Sequence, residues 1–153
     1  MVGLKRQGHA SGVEMCINGA FEETFNVMWK DDISPLELAS WKDETQIANF
    51  AAVGIAILLV MELLEIVSFE ESVIGTGIDF WISTKNMNEK LLPFLEREAR
   101  LEISGIFQEN IRNTVSMRIG KKKKQMKSSD HLQLPGWIVV VELSTPKSKI
   151  VRK

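Results

Sequence analysis

Cysteine occurs once in the 153 residues, as Cys16, so no internal disulfide can staple the fold, and a hydrophobic core has to hold it together. No apolar leader follows Met1-Val2-Gly3-Leu4-Lys5-Arg6, and a reducing cytoplasm is the expected setting. Long hydrophobic runs are missing too. The most apolar stretch, Phe50 to Met61, covers about 12 residues where a membrane span needs about 20, which predicts a buried helix and no membrane anchor. The only two histidines, His9 and His131, stand alone near loops without the spacing of a metal-ligand pair. The glycines around Thr76 do not lead through a phosphate-cradling loop into a helix, which excludes that kind of nucleotide site. There is no internal repeat, and Lys121 to Lys124 is the only low-complexity segment.

What is present is an ordinary globular composition, 44% hydrophobic and 25% charged, too apolar for a disordered chain. The length suits a single domain over residues 1–153. The net charge of -1 hides a division: residues 1–111 carry 8 basic and 18 acidic side chains, and the remainder 11 and 2. Such a split serves nucleic-acid binding, or it is self-complementary within a fold or a dimer.

Residues 11–30 alternate in hydrophobicity around Asn18-Gly19, the pattern of a β-hairpin with a tight turn. Asp31 to Pro35 reads as a linker. Asp43 is a plausible N-cap for a helix from about Glu44 to Ile66, whose middle is apolar on nearly all sides and should be buried on more than one. Three strands are expected at Ser68 to Ile74, Ile78 to Ser83 and Arg100 to Ile106. In the third, Leu101 and Ile103 face one way and Arg100, Glu102 and Ser104 the other. A second helix is expected from Phe107 to Lys127, with Phe107, Ile111, Val115 and Ile119 as its buried stripe. After a polar loop, Trp137 to Val141 has the β-branched run of a strand buried on both faces, and Ser144 to Lys153 reads as a basic tail. The fold class is therefore α/β (α+β): an αβββαβ core over residues 43–143 with a mixed central sheet, preceded by the hairpin. Trp29, Trp41, Trp81 and Trp137 fall in apolar patterns and are expected in the core.

Two acids hold notable places in this order. Asp79 opens the second core strand directly after Gly75-Thr76-Gly77-Ile78, and Glu102 lies mid-way along the third. Adjacent strands bring such residues side by side, where two carboxylates can share a divalent cation that activates water against a phosphodiester. Gly75-Thr76-Gly77-Ile78-Asp79-Phe80 and Leu101-Glu102-Ile103-Ser104-Gly105 resemble the two motifs of the PD-(D/E)XK phosphodiesterase superfamily. In that superfamily an Asp at the start of the second core strand joins a Glu or Asp followed two residues later by Lys. Trp41 and the run from Val140 to Pro146 also resemble a group of bacterial proteins. The resemblance to the superfamily implies magnesium or manganese held by Asp79 and Glu102, with a helix acid, Glu44, as a third ligand, and DNA or RNA as partner.

Where the superfamily's Lys is expected, this chain has Ser104, which is neutral at pH 7. Some members deliver the Lys from a neighbouring element, and Arg100 shares a strand face with Glu102, so Arg100 and Ser104 complete the candidate catalytic set. Lys121, Lys122, Lys123, Lys124 and Lys127 are the candidate phosphate contacts. Each residue also has a plain structural reading. Glu44 suits the first turn of a helix, Asp79 a turn or cap after the glycines, Glu102 a solvent-facing position or a salt bridge such as one to Arg100, Glu142 a paired edge charge, and the lysines a solvated helix end. The alternative to a nuclease is thus a non-enzymatic interaction or regulatory protein that keeps the fold and works as a homodimer or in a complex.

Overall fold

The computed structural model describes residues 1–30, 32–84 and 97–153, leaving position 31 of the expected linker outside the described residues. Its elements run α1 (Val2–Arg6), β1 (Val13–Gly19), β2 (Glu23–Val27), α2 (Pro35–Ser40), α3 (Glu44–Leu64), β3 (Ser68–Glu71), β4 (Phe80–Ser83), β5 (Ala99–Ile106), α4 (Val115–Gln125), a 3-10 helix Met126–Leu132, β6 (Gly136–Glu142) and β7 (Lys147–Arg152). All seven strands form one mixed sheet in the order β2-β1-β7-β6-β5-β4-β3. β5 pairs parallel with β6, and β7 with β1; the other neighbours are antiparallel. From α3 to β6 the order is helix, three strands, helix, strand, as the sequence pattern requires.

The parallel pair at the centre explains the layering. β5 is joined to β6 through α4, while α3 covers the opposite face, so both strands are buried on both sides. Leu101, Ile103, Val139 and Val141 pack under α3; Ile106, Ile138 and Val140 pack under α4 with Val115, Ile119 and Met126. α3 begins at Asp43, whose side chain accepts from the Thr45 and Gln46 amides; it buries one side, not the more than one expected, through the pairs Ile47/Ala48, Ala51/Ala52, Ile55/Ala56 and Leu59/Val60, while Phe50, Leu58 and Met61 are exposed. Four of these eight residues are alanine, so the helix lies very close to the sheet. At its closest point a Cβ on Gly105 would sit 2.0 Å from the Ala48 carbonyl oxygen.

Several sequence expectations change. The Asn18-Gly19 pair is not a two-residue turn: β1 continues through Gly19 and Ile17 pairs with Glu23, because the strand's outer half pairs with β7 instead. Pro35 does not end a linker but opens α2, capped by a reciprocal Ser34–Glu37 box. The second helix starts at Val115, not Phe107, since Thr114 caps it and the preceding segment is bridged between Asn110 and Asn113; Ile111 is exposed. Residues 128–132, expected in a polar loop, are helical. The basic tail is β7, a central strand that ties the hairpin to β6, its lysines alternating with buried Ser148 and Ile150. Trp41 is exposed rather than in the core. Glu142 is no edge charge: it is fully buried and accepts from the amides and hydroxyls of Ser144 and Thr145, closing the β6–β7 turn. α3 is also longer than its most apolar stretch. By length and composition it could cross a membrane, yet 44% of that window is buried and its inner face is the domain's core.

The Gly105 contact is backbone against backbone, so it has no flexible side chain to yield. Gly105→Ala should lower unfolding free energy by about 3 kcal/mol, measured as a shifted urea midpoint at constant slope. A change under about 0.5 kcal/mol, the level of a neutral surface substitution, would show that α3 does not lie this close to β5.

Candidate metal and catalytic site

Alternation along β5 sends Leu101 and Ile103 under α3 and turns Arg100, Glu102 and Ser104 toward α4, with all three polar side chains buried. Buried polar groups need partners, and α4 supplies them from positions spaced i, i+4 and i+7. Arg118 Nη1 donates to Ser104 Oγ at 3.3 Å. One turn on, Lys122 Nζ donates to Glu102 Oε1, and Gln125 Nε2 donates to the same oxygen at 2.9 Å. Helix and strand run in opposite directions, so the ladder pairs later helix residues with earlier strand residues.

Asp79 arrives from the side. It immediately precedes β4, and its amide donates to the Leu101 carbonyl at 2.9 Å while its Oδ2 accepts from the Ile103 amide at 2.7 Å. The carboxylate thereby satisfies an edge amide of β5 that β4 is too short to reach. The turn leading to it is pressed onto the end of α4. Gly77 has φ +74°, a Cβ there would lie 2.3 Å from the Gln125 carbonyl oxygen, and Ser128 Oγ donates to the Thr76 carbonyl at 2.7 Å. A cavity of about 430 Å³ opens beside Asp79, lined also by Gln125, Val53, Gly77 and the 71–75 segment.

The electrostatics of Glu102 follow from its position. Its carboxyl is pushed up to about 7: burial raises it most, the Lys122 hydrogen bond opposes the rise, and the negative charge of Asp79 adds to it. Glu102 has no solvent exposure, and its Oε2 has no hydrogen-bond partner among the described residues. A buried, unpartnered carboxylate oxygen on an acid that feels a second carboxylate is a donor set suited to a hard divalent cation. No cluster of three or more His, Cys, Asp or Glu occurs among the described residues, so any such ion would take its remaining ligands from backbone, water or substrate.

The other expected site residues divide. Arg100 does not approach Glu102: its guanidinium donates to Leu134 O and Ser129 Oγ, each at 3.0 Å, and pairs with Asp130, pinning the 3-10 helix to β5. Ser104 is held by Arg118. Glu44 lies in the first turn of α3 and lines a separate polar cavity of about 480 Å³ with Glu109, Asn113 and Arg118. Of the lysine run, Lys121, Lys123, Lys124 and Lys127 are exposed and only Lys122 turns inward. Lys122, Gln125 and Arg118 are the functional candidates that sequence reasoning did not single out as a group. Their i, i+4, i+7 spacing was the available signal.

Glu102 sets a pH dependence of stability. Because its folded value, about 7, lies above the ordinary 4.5, the native state holds the extra proton between them. Its stabilising contribution is complete below about 4.5 and is lost as pH rises through about 7. With chelator present, wild type should therefore lose on the order of 2 kcal/mol relative to Glu102→Gln between about pH 5 and about pH 8, measured by urea unfolding. A difference that is flat with pH would mean that Glu102 stays ionised beside Lys122 throughout.

Compared with known proteins, the chain matches no family model, no curated protein and no solved structure.

Proposed function

We propose that this chain is a metal-dependent phosphodiesterase of the PD-(D/E)XK type that acts on DNA or RNA. The observation that carries this reading is the delivery of the Lys122 ammonium from α4 onto Glu102, beside Asp79. Two acids and a lysine from three elements meet, and the helix makes good the Lys that position 104 lacks. Asp79 and Glu102 Oε2 are the residues that would hold magnesium or manganese. When bound, such an ion supplies Lewis-acid activation of water and of the phosphodiester.

The chain's own groups account for the rest of the chemistry. Lys122 brings positive charge to the place where negative charge develops on phosphorus, and it orients a nucleophilic water by hydrogen bonding. Gln125 holds the Glu102 carboxylate through Oε1 and leaves Oε2 unpartnered for a ligand. Lys121, Lys123 and Lys124, on the solvent side of the same helix, neutralise backbone phosphates of a polyanion entering the Asp79 cavity. One observation favours the non-enzymatic alternative: Glu102 is wholly buried with Lys122 closed upon it, the arrangement of a structural ion pair.

Two measurements separate these readings. Manganese should raise the melting temperature of the wild-type chain by mass action and support cleavage of single-stranded DNA, duplex DNA or RNA. Asp79→Asn should abolish both effects. Lys122→Ala should keep the thermal shift while lowering cleavage about 100-fold or more. No thermal shift and no cleavage with any of the three substrates would leave the structural ion pair as the reading.

The exposed lysines make a separate prediction. Replacing Lys121, Lys123, Lys124 and Lys127 with Gln should weaken nucleic-acid binding without regard to sequence, each lost phosphate contact taking about 0.9 from the log-log salt slope on duplex DNA. Folding stability should be nearly unchanged. Absence of any salt-dependent binding by the parent chain would assign the basic surface to contacts with its own acidic surface or with a protein partner.

A further inference from the structure

Much of the outer face of α3 is left uncovered among the described residues. Phe50 and Leu58 are each 64% exposed, Met61 is 46% exposed, and Val53, Gly54 and Ile57 lie between them. No charged side chain interrupts the helix between Glu44 and Glu62. The apolar surface continues at both ends. Trp41 meets the Phe50 ring edge-on at 5.8 Å, and Leu58 shares a cavity of about 290 Å³ with Phe25, Val27 and Met28 of the hairpin. Monomers rarely leave more than a few hundred Å² of contiguous apolar surface uncovered, and a standard interface takes roughly 800 Å² from each partner.

We infer that α3 is the two-fold interface of a homodimer, crossing its symmetry mate at Gly54. The face is self-complementary. Along the i±4 ridge the order Phe50, Gly54, Leu58 is large, small, large from either end, so a two-fold axis at Gly54 sets Phe50 of each copy beside Leu58 of the other. That is the 4–4 ridge packing of helices crossed near -50°. The approach at the crossing is open, because a Cβ built on Gly54 meets nothing within 4 Å. Charge does not oppose it: Glu44 and Glu62 stand about 12 to 15 Å along the axis from Gly54, and crossed helices carry their acidic ends apart. Val53 borders both this face and the cavity beside Asp79, so the dimer holds its two cavities at the edges of one interface. The inference is independent of whether that cavity is catalytic.

Sedimentation equilibrium on the full chain at micromolar concentration tests it. Wild type should sediment at twice the chain mass, and Gly54→Leu and Leu58→Glu at the chain mass. Gly54→Leu exchanges a poor helix former for a good one at a position with free space, so its melting curve and circular dichroism show whether the fold is intact. In a Cys16→Ser background, Gly54→Cys should form a covalent dimer under mild oxidation, and Lys127→Cys, on the opposite layer, should not. A monomeric wild type, or a dimer that survives both interface substitutions with no Gly54→Cys cross-link, overturns the proposal. So does a monomer that co-sediments with phosphatidylcholine–phosphatidylglycerol vesicles, which would assign the face to a bilayer.

Discussion

Glu102 occupies the middle of β5, an interior strand buried along its whole length, and has no contact with solvent. A carboxylate in that position is costly unless donors reach it. The surrounding structure is arranged around that requirement. α4 must lie across β5 with Lys122 and Gln125 facing inward, which sets the helix's rotation; Arg118 then meets Ser104 one turn earlier. The turn at Gly77 must press against the end of α4, which places Asp79 against the Ile103 amide that β4 leaves unpaired. The acids and the lysine are therefore neighbours because β5 carries a polar stripe where an ordinary central strand would carry a second apolar one.

The two faces of the sheet solve different problems. Under α3 the contact is dry, and the alanines of the helix and Gly105 of the strand allow backbone to approach backbone. Under α4 the contact is part apolar, through Ile106, Ile138 and Val140, and part polar, through Arg100, Glu102 and Ser104. A close-packed apolar layer on one side and a charged layer on the other hold Arg100, Glu102 and Ser104 on a strand whose opposite face is fixed by packing.

The opposed charges of the two parts of the chain are partly consumed inside the fold. Lys122 pairs with Glu102 and Lys147 with Glu109, each joining a basic residue of the C-terminal part to an acid of the N-terminal part. Arg100 and Lys153 converge on Asp130, one of the two acids of the basic part. Lys121, Lys123 and Lys124 remain on the solvent side of α4 after this pairing, and they lie on the helix that carries Lys122 to the site.

The sequence by itself determined the elements whose periodicity is uninterrupted: the Asp43 cap and α3, the alternation of β5, the doubly buried β6 and the position of Asp79 at the head of β4. These depend on local spacing and on burial pattern, which neighbouring residues report. It misread Asn18-Gly19, the start of α4 and the C-terminal β7, because each depends on a distant strand or cap that overrides local propensity. Arg100 and Lys122 show the same division at the site. Sequence placed Arg100 on the face of Glu102, but only the tertiary structure decided that its long side chain would satisfy the 3-10 helix instead. Likewise, four consecutive lysines are equivalent as text. The rotation of α4 over β5 makes Lys122 alone a partner for a buried acid, because a helix turns only one residue in three or four toward the strand beneath it.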